Sequence, residues 1–379
     1  MALKKMPFIS SVQLARVDES TIIPTIMYYK ERKPLVGRVA LDTCPAPELL
    51  VEDFKLEIGR YDPDSPARNT SIVENTPRRA PIGLAKDFFD ESLRKIGEWL
   101  ALNGLAVPNR ILIAEPLSLG GTEMADENWL AFYRKSIRKI LHSKFQEVDF
   151  LPEPFAVFQY YRYGLRHPLV SEQRKHVALV LDFGGGTFDV SVVETTKTGD
   201  ISGGGVNSRP LGARSIQVGG FYLNRLIAED LLFAAIDKDV EKAKIRRSLN
   251  FFYDNKNADE DVIGTLNDSQ RAFFHNMKEL LHTVESAKVV ICNSIANWSL
   301  VANLSGVAPY SIGVPIDPFN IKCRRAQLRL DADKVRDIYN RIWTARLRDA
   351  VNTTLDRAET ELKGQSIIQT KKQQRVFEH

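Results

Sequence analysis

The sequence predicts an α/β protein made of more than one compact unit, and three observations carry that prediction. At 379 residues the chain is longer than one ordinary core accommodates. Strand-like and helix-like segments alternate as far as Gly164, the pattern of an α/β unit. The stretch Asp182-Phe-Gly-Gly-Gly-Thr-Phe-Asp189 stands between the apolar run Val177-Ala-Leu-Val-Leu181 and Val190-Ser-Val-Val193. That order reads as a buried strand, a glycine turn and a second strand.

Taken in order, Pro24-Thr-Ile-Met-Tyr-Tyr29 reads as a strand, and Leu35–Ala40 as a turn followed by a short apolar segment. Residues 61–81 carry Pro63, Pro66, Pro77 and Pro81 among polar neighbours and read as a loop. From Leu84 to Leu100 the apolar positions Leu84, Phe88, Phe89, Leu93, Ile96 and Leu100 recur at helical spacing. Arg110–Ala114 is a short strand, Asp126–Leu141 a helix, and Val148–Pro154 a strand ending in a proline-flanked acid. Helix resumes from Phe155 to about Tyr163, with Gly164 closing it.

Beyond the glycine hairpin, residues 197–209 read as a mobile turn. Gly219-Gly220 then opens a helix through Leu232. Residues 237–268 are highly charged and partly helical, with an exposed loop at Asp254–Asp261. A long helix spans about Ser269 to Val290, with Phe273, Met277, Leu280, Val284 and Ala287 on its apolar face. Strand-like segments and Phe319–Leu328 precede a last helix from about Asp333 to Leu355, and Thr370–His379 is tail-like.

Composition excludes several function classes. An apolar content of 44% and a charged content of 26% are those of a soluble globular protein. The net charge of +4, from 52 basic and 48 acidic residues, is too balanced to argue for nucleic acid or an anionic membrane as partner. Cys44, Cys292 and Cys323 lie far apart, which gives no zinc site or disulfide framework and fits a reducing compartment. No apolar run approaches the roughly 20 residues that span a bilayer, and Met1-Ala-Leu-Lys-Lys5 has no apolar core behind it. The expected location is cytoplasmic.

The glycine turn points to a ligand. Three successive glycines let the backbone approach an anion and aim N–H groups at one spot, which suits a phosphate. Asp182 and Asp189 bracket the turn, and acids beside a phosphate make sense where a hydrated divalent cation offsets the charge. Thr187 adds a hydroxyl at the exit.

The string Asp-x-Gly-Gly-Gly-Thr-x-Asp-Val-Ser resembles the second phosphate motif of the heat-shock protein 70 family, in the actin-like ATPase superfamily. Further stretches fall in that family's order. Ile23-Pro-Thr-Ile26 and Val36-Gly-Arg-Val-Ala40 resemble two early motifs, and Phe54-Lys-Leu-Glu-Ile-Gly-Arg60 is similar to its Lys-Arg-Leu-Ile-Gly-Arg. Pro152-Glu-Pro154 resembles its interlobe Asn-Glu-Pro. Val218-Gly-Gly-x-x-x-Asn-Arg225 resembles the opening of the upper second lobe, and Glu285-Ser-Ala-Lys288 the adenosine-contacting helix.

The resemblance implies a two-lobed nucleotide-binding domain built on duplicated ribonuclease-H-like sheets, its terminal strands missing or divergent. Lobe I would cover 1–172, with an upper subdomain over about 25–108. Lobe II would cover 173–379, with an upper subdomain over about 219–324. ATP or ADP with Mg²⁺ would lie between them. Gly184, Gly185, Gly186 and Thr187 would hold phosphates, and Asp182 would bind the metal through water. Glu153 would position the attacking water, Gly219 and Gly220 would line the phosphate side, and Glu285 and Lys288 the ribose and adenine side. At i and i+3 on a helix, Glu285 and Lys288 would equally make an ordinary surface pair.

The departures are specific. Residues 1–22 contain no glycine, so the first phosphate hairpin is absent. The family's catalytic lysine falls on Leu41, its adenine-stacking arginine on Val289, and the following serine on Cys292. The implied function is a chaperone-type ATPase domain with nucleotide, and with other proteins or co-chaperones, as partners. The alternatives are an inactive pseudo-ATPase that scaffolds protein contacts, or a fragment of an active enzyme. A sugar or acetate kinase of the superfamily fits less well, because the hairpin ends Asp-Val-Ser and Gly-Gly is followed by x-x-x-Asn.

Overall fold

In the computed structural model of the chain, the residues described are 14–52, 54–60, 62–64, 80–116, 128–159, 176–195, 208–236, 239–255, 264–296, 298–299, 302–312 and 328–377. The fold is mixed α/β with small sheets. Buried apolar side chains form two main cores. One is drawn from Met27 to Val148 and the other from Phe188 to Val351.

The first core begins with β1 (Ile26–Lys30) and β2 (Lys33–Val36), an antiparallel hairpin that pairs Met27 with Val36. β3 (Val51–Glu52) adds to the other edge of β1, giving the order β2-β1-β3. After Gly37 the short helix α1 (Arg38–Thr43) forms where the sequence suggested only an apolar segment. α2 (Pro81–Leu102) matches its apolar spacing, with Leu84 and Ala85 buried. β4 (Arg110–Glu115) and β5 (Glu147–Pro152) are parallel, Ile111 opposite Val148, and α3 (Trp129–Leu141) lies between them in sequence. A parallel pair requires such a crossover.

Glu153 does not end a strand. It is the first residue of helix α4 (Glu153–Gln159), and the flanking Pro154 is tolerated because first-turn N–H groups lack intrahelical partners.

β6 (His176–Phe183), β7 (Phe188–Thr195) and β8 (Ser208–Ile216) form an antiparallel meander in the order β6-β7-β8. α4 covers one face, where Phe155 and Val157 meet Val180 and Val193. The last helix, α9 (Arg348–Phe377), covers the β7–β8 part of the other, where Ala358 meets Val192 and Leu211. Val177, Leu179, Leu181 and Phe183 of β6 stay exposed on that face, so β6 is not the buried strand that its apolar run predicts. β7 is buried on both faces, its polar Asp189, Ser191 and Glu194 included. Gly212 on β8 makes the helix–sheet approach possible, since a Cβ there would stand 2.5 Å from the Thr354 carbonyl oxygen.

The second core packs α5 (Gly220–Ala234), α6 (Asp239–Asn255), α7 (Asp268–Ser294) and α8 (Ala332–Ile342) with the two-stranded sheet of β9 (Tyr310–Ile312) and β10 (Leu328–Leu330). α7 starts at a reciprocal cap. Asn267 Oδ1 accepts from Gln270 N at 2.9 Å, and Gln270 Oε1 accepts from Asn267 N at 3.2 Å. Its five expected apolar residues are all buried. A π-helical turn, Trp343–Leu347, joins α8 to α9. α9 runs to Phe377, so most of the stretch read as a tail is helical. Most of the expected loops at 61–81 and 197–209, the helix end at Tyr163, much of the loop at 254–261 and nearly all of Phe319–Leu328 lie outside the described residues. Among the described residues no helix is long and apolar enough to cross a membrane.

Candidate functional site

The glycine turn closes the β6–β7 hairpin, in which Asp182 faces Asp189 and Phe183 faces Phe188. Gly184 N donates to Thr187 O at 2.9 Å, which tightens the turn. Its carbonyls point at the start of α5: Gly220 N donates to Gly184 O at 3.0 Å and Phe221 N to Gly185 O at 2.9 Å. Two of the helix's four orphan first-turn donors are thereby satisfied. Gly219 sits under this contact, and a Cβ on it would stand 2.6 Å from the Gly185 carbonyl oxygen. Gly219 and Gly220 therefore pack against the turn rather than standing apart from it.

The three turn glycines differ in what surrounds them. A Cβ on Gly186 would press on Leu56 Cδ1 at 3.2 Å. A Cβ on Gly184 would meet only ordinary contact, 3.6 Å from the Thr187 carbonyl, and one on Gly185 would meet nothing within 4 Å. Neither residue has the left-handed backbone that would itself demand glycine. Among the described residues, the N–H groups of Gly185 and Gly186 have no acceptor. Open space and two free donors lie together at the tip of the turn.

Three acids gather below it. Asp182 is half-buried, and its carboxyl is held above the usual carboxylate range by burial and then by the charge of Glu153, with Lys55 opposing. Asp189 is buried and likewise raised, chiefly by burial, although the hydroxyls of Ser215 and Thr187 pull the other way. Thr187 Oγ1 donates to Asp189 Oδ2 at 2.7 Å and is buried. That hydroxyl turns inward, leaving backbone rather than side chain at the tip. Glu153, at the N-terminus of α4 where the helix dipole favours an anion, is paired with the Lys55 ammonium.

On the far side of the turn, Lys288 is buried and reaches the α5 terminus. Its Nζ would lie 3.7 Å from a Cβ on Gly220. It donates to Asn224 Oδ1 at 2.9 Å and to Glu285 Oε2 at 2.6 Å, and Asn224 Nδ2 donates to the same Glu285 oxygen at 2.6 Å. Glu285 and Lys288 are thus two of three residues in a network joining α5 to α7, not only a solvated helix pair.

The ten residues singled out in the sequence accordingly surround one place. Two more belong with them. Asn224 lay inside the Gly-Gly-x-x-x-Asn string but drew no role, and Lys55 carried no local signal. Leu41 and Val289 are both exposed and place no charge there.

Among the described residues no three His, Cys, Asp or Glu side chains converge closely enough to ligate a metal directly. Among the described residues, Glu153, Asp182 and Asp189 nonetheless bring three carboxyl groups together, with Lys55 paired to Glu153 and opposing the charge on Asp182. That surplus fits a cation held through its own water shell, as Mg²⁺ prefers. No family model and no curated protein matches the chain.

Proposed function

We propose that the chain is a nucleotide-binding domain of the heat-shock protein 70 type, a two-lobed actin-like ATPase that takes ATP or ADP with Mg²⁺ between its lobes. Gly185 carries the reading. Among the described residues no atom beyond its chain neighbours lies within 4 Å of a Cβ there, so a ligand has open space in which to approach the backbone. The free N–H groups of Gly185 and Gly186 suit phosphate oxygens. Lys288, Glu285 and Asn224, next to the α5 terminus, suit the sugar and base side.

In this reading Asp182 orients metal-bound water, and Glu153 positions the attacking water, as phosphoryl transfer asks chiefly for positioning and charge stabilisation. Mg²⁺, when bound, neutralises developing phosphate charge. The reading carries with it a chaperone-type role in the cytoplasm, with co-chaperone or client proteins as partners. Calorimetric titration with ADP and ATP, each with and without Mg²⁺, tests it against Asp182→Ala. Saturable Mg²⁺-dependent binding that the variant weakens is the expected result. Flat titrations from folded wild-type protein would remove the nucleotide reading.

A second reading, a catalytically inactive pseudo-ATPase scaffold for protein–protein contacts, draws on the uncharged, exposed Leu41 and Val289. Measurable binding with no phosphate release above background would select it.

A further inference from the structure

We propose that Lys55 is the anion-binding cation of this site, held in reserve by Glu153 and handed to the phosphate when a ligand arrives at the glycine turn. The inference rests on the nucleotide reading above and adds the residue that supplies positive charge.

The placement of Lys55 is built by its neighbours. Phe54 is buried and meets the Phe88 ring edge-on at 5.8 Å. Trp129 Nε1 donates to the Leu56 carbonyl at 3.0 Å. Leu56 packs on Gly186, and Gly59 lies flat against the Trp129 ring, where a Cβ would be 2.5 Å from the nearest ring atom. The turn Lys55–Glu57 is thereby pinned between α2, α3 and the glycine turn, with Lys55 next in sequence to the residue touching Gly186. Its side chain remains 39% exposed, so the ammonium can move while its backbone stays fixed.

An ammonium has three donors, and the described residues occupy this one only with Glu153. Asp182 feels both members of the pair, which sets the pair beside the hairpin. A phosphate at the free N–H groups of Gly185 and Gly186 brings negative charge to acids that already outnumber their counter-charge. Lys55 can offset it without any distant rearrangement. Transfer of the ammonium from Glu153 to phosphate also frees the Glu153 carboxylate.

The two ends of one ion pair then have opposite effects on anion affinity, which a merely structural pair would not produce. The test is titration of inorganic pyrophosphate and ADP in chelator without Mg²⁺, with adenosine as control, on wild type, Lys55→Met, Lys55→Arg and Glu153→Gln. Loss of one charge-assisted hydrogen bond predicts pyrophosphate binding weakened on the order of tenfold or more in Lys55→Met. Lys55→Arg stays within a few-fold of wild type. Glu153→Gln, which removes the competitor, binds pyrophosphate more tightly. Adenosine affinity does not change.

Pyrophosphate binding unchanged in Lys55→Met, or weakened alike in Lys55→Met and Glu153→Gln, overturns the role of Lys55 while leaving ADP binding by the wild type intact. Wild-type protein that binds neither ADP nor pyrophosphate, with or without Mg²⁺, overturns both this inference and the nucleotide reading.

Discussion

Replacing Gly185 and Gly219 separately by alanine asks which glycines the fold needs and which the ligand needs. At Gly219 the added Cβ would lie 2.6 Å from the Gly185 carbonyl oxygen and 2.7 Å from the carbonyl carbons of Gly185 and Gly186. Ordinary contact begins near 3.4 Å, so the backbones must part by 3.4 − 2.6 = 0.8 Å. The obstacle is main chain, and parting strains the hydrogen bonds from Gly220 N and Phe221 N to the turn. Overpacking of this kind costs about 1–3 kcal/mol, and one weakened hydrogen bond adds about 1 kcal/mol. Gly219→Ala should therefore lose about 2–4 kcal/mol in urea unfolding, provided the transition is cooperative.

Gly185→Ala meets no atom within 4 Å and no left-handed backbone, so its stability should stay within about 0.5 kcal/mol of wild type. The methyl group does stand in the open space through which a phosphate would reach the turn. Calorimetry with ADP and Mg²⁺ should then show affinity reduced about tenfold or more, the value of one charge-assisted hydrogen bond. A folded Gly185→Ala protein that binds ADP as wild type does would refute the argument from Gly185. So would a Gly185→Ala protein as unstable as Gly219→Ala, because glycine there would then be structural.

The contact between α7 and the segment Glu48–Glu52 supports two further predictions. Lys278 is 2% exposed and donates to the Leu50 carbonyl at 2.8 Å and to Glu52 at 3.2 Å, while His282 Nε2 meets Glu52 at 2.8 Å. Lys278→Met strips the buried carboxylate of its ammonium and should cost about 3–5 kcal/mol, with Glu52→Gln in the same chain restoring part of the loss by chemical denaturation. Burial alone would raise the Glu52 carboxyl, but Lys278 and His282 hold it at about 2 against the ordinary 4.5. A lowered folded value means that the stabilisation is complete above pH 4.5 and is lost as pH falls towards 2. The difference between 4.5 and about 2 corresponds to about 3 kcal/mol. Urea midpoints measured between pH 6 and pH 3 should fall in wild type and fall less in Glu52→Gln.

What the sequence by itself determined is local. The β6–β7 hairpin and its turn follow from an apolar run, three glycines and alternation. The buried face of α7 follows from residues spaced at helical intervals, because backbone hydrogen bonds and side-chain periodicity are set within a few positions. The proline-flanked Glu153 was visible as an acid of interest, yet its place as the first residue of a helix was not, since a proline after an acid suits a turn and a helix start alike.

The tertiary structure alone decided which groups meet. Lys55 reaches Glu153 across 98 positions, and Lys278 reaches Glu52 across 226. Thr187, expected to face a ligand, is buried at the exit of the turn and donates its hydroxyl to Asp189. Glu285 and Lys288, spaced like any surface pair, become part of a network with a buried end at Lys288 and Asn224 only because α5 carries Asn224 up to them. Charge and hydroxyl chemistry can be read from a residue's name. Its partner is set by the path of the chain, and burial then decides whether that partner changes its energy by tenths of a kilocalorie or by several.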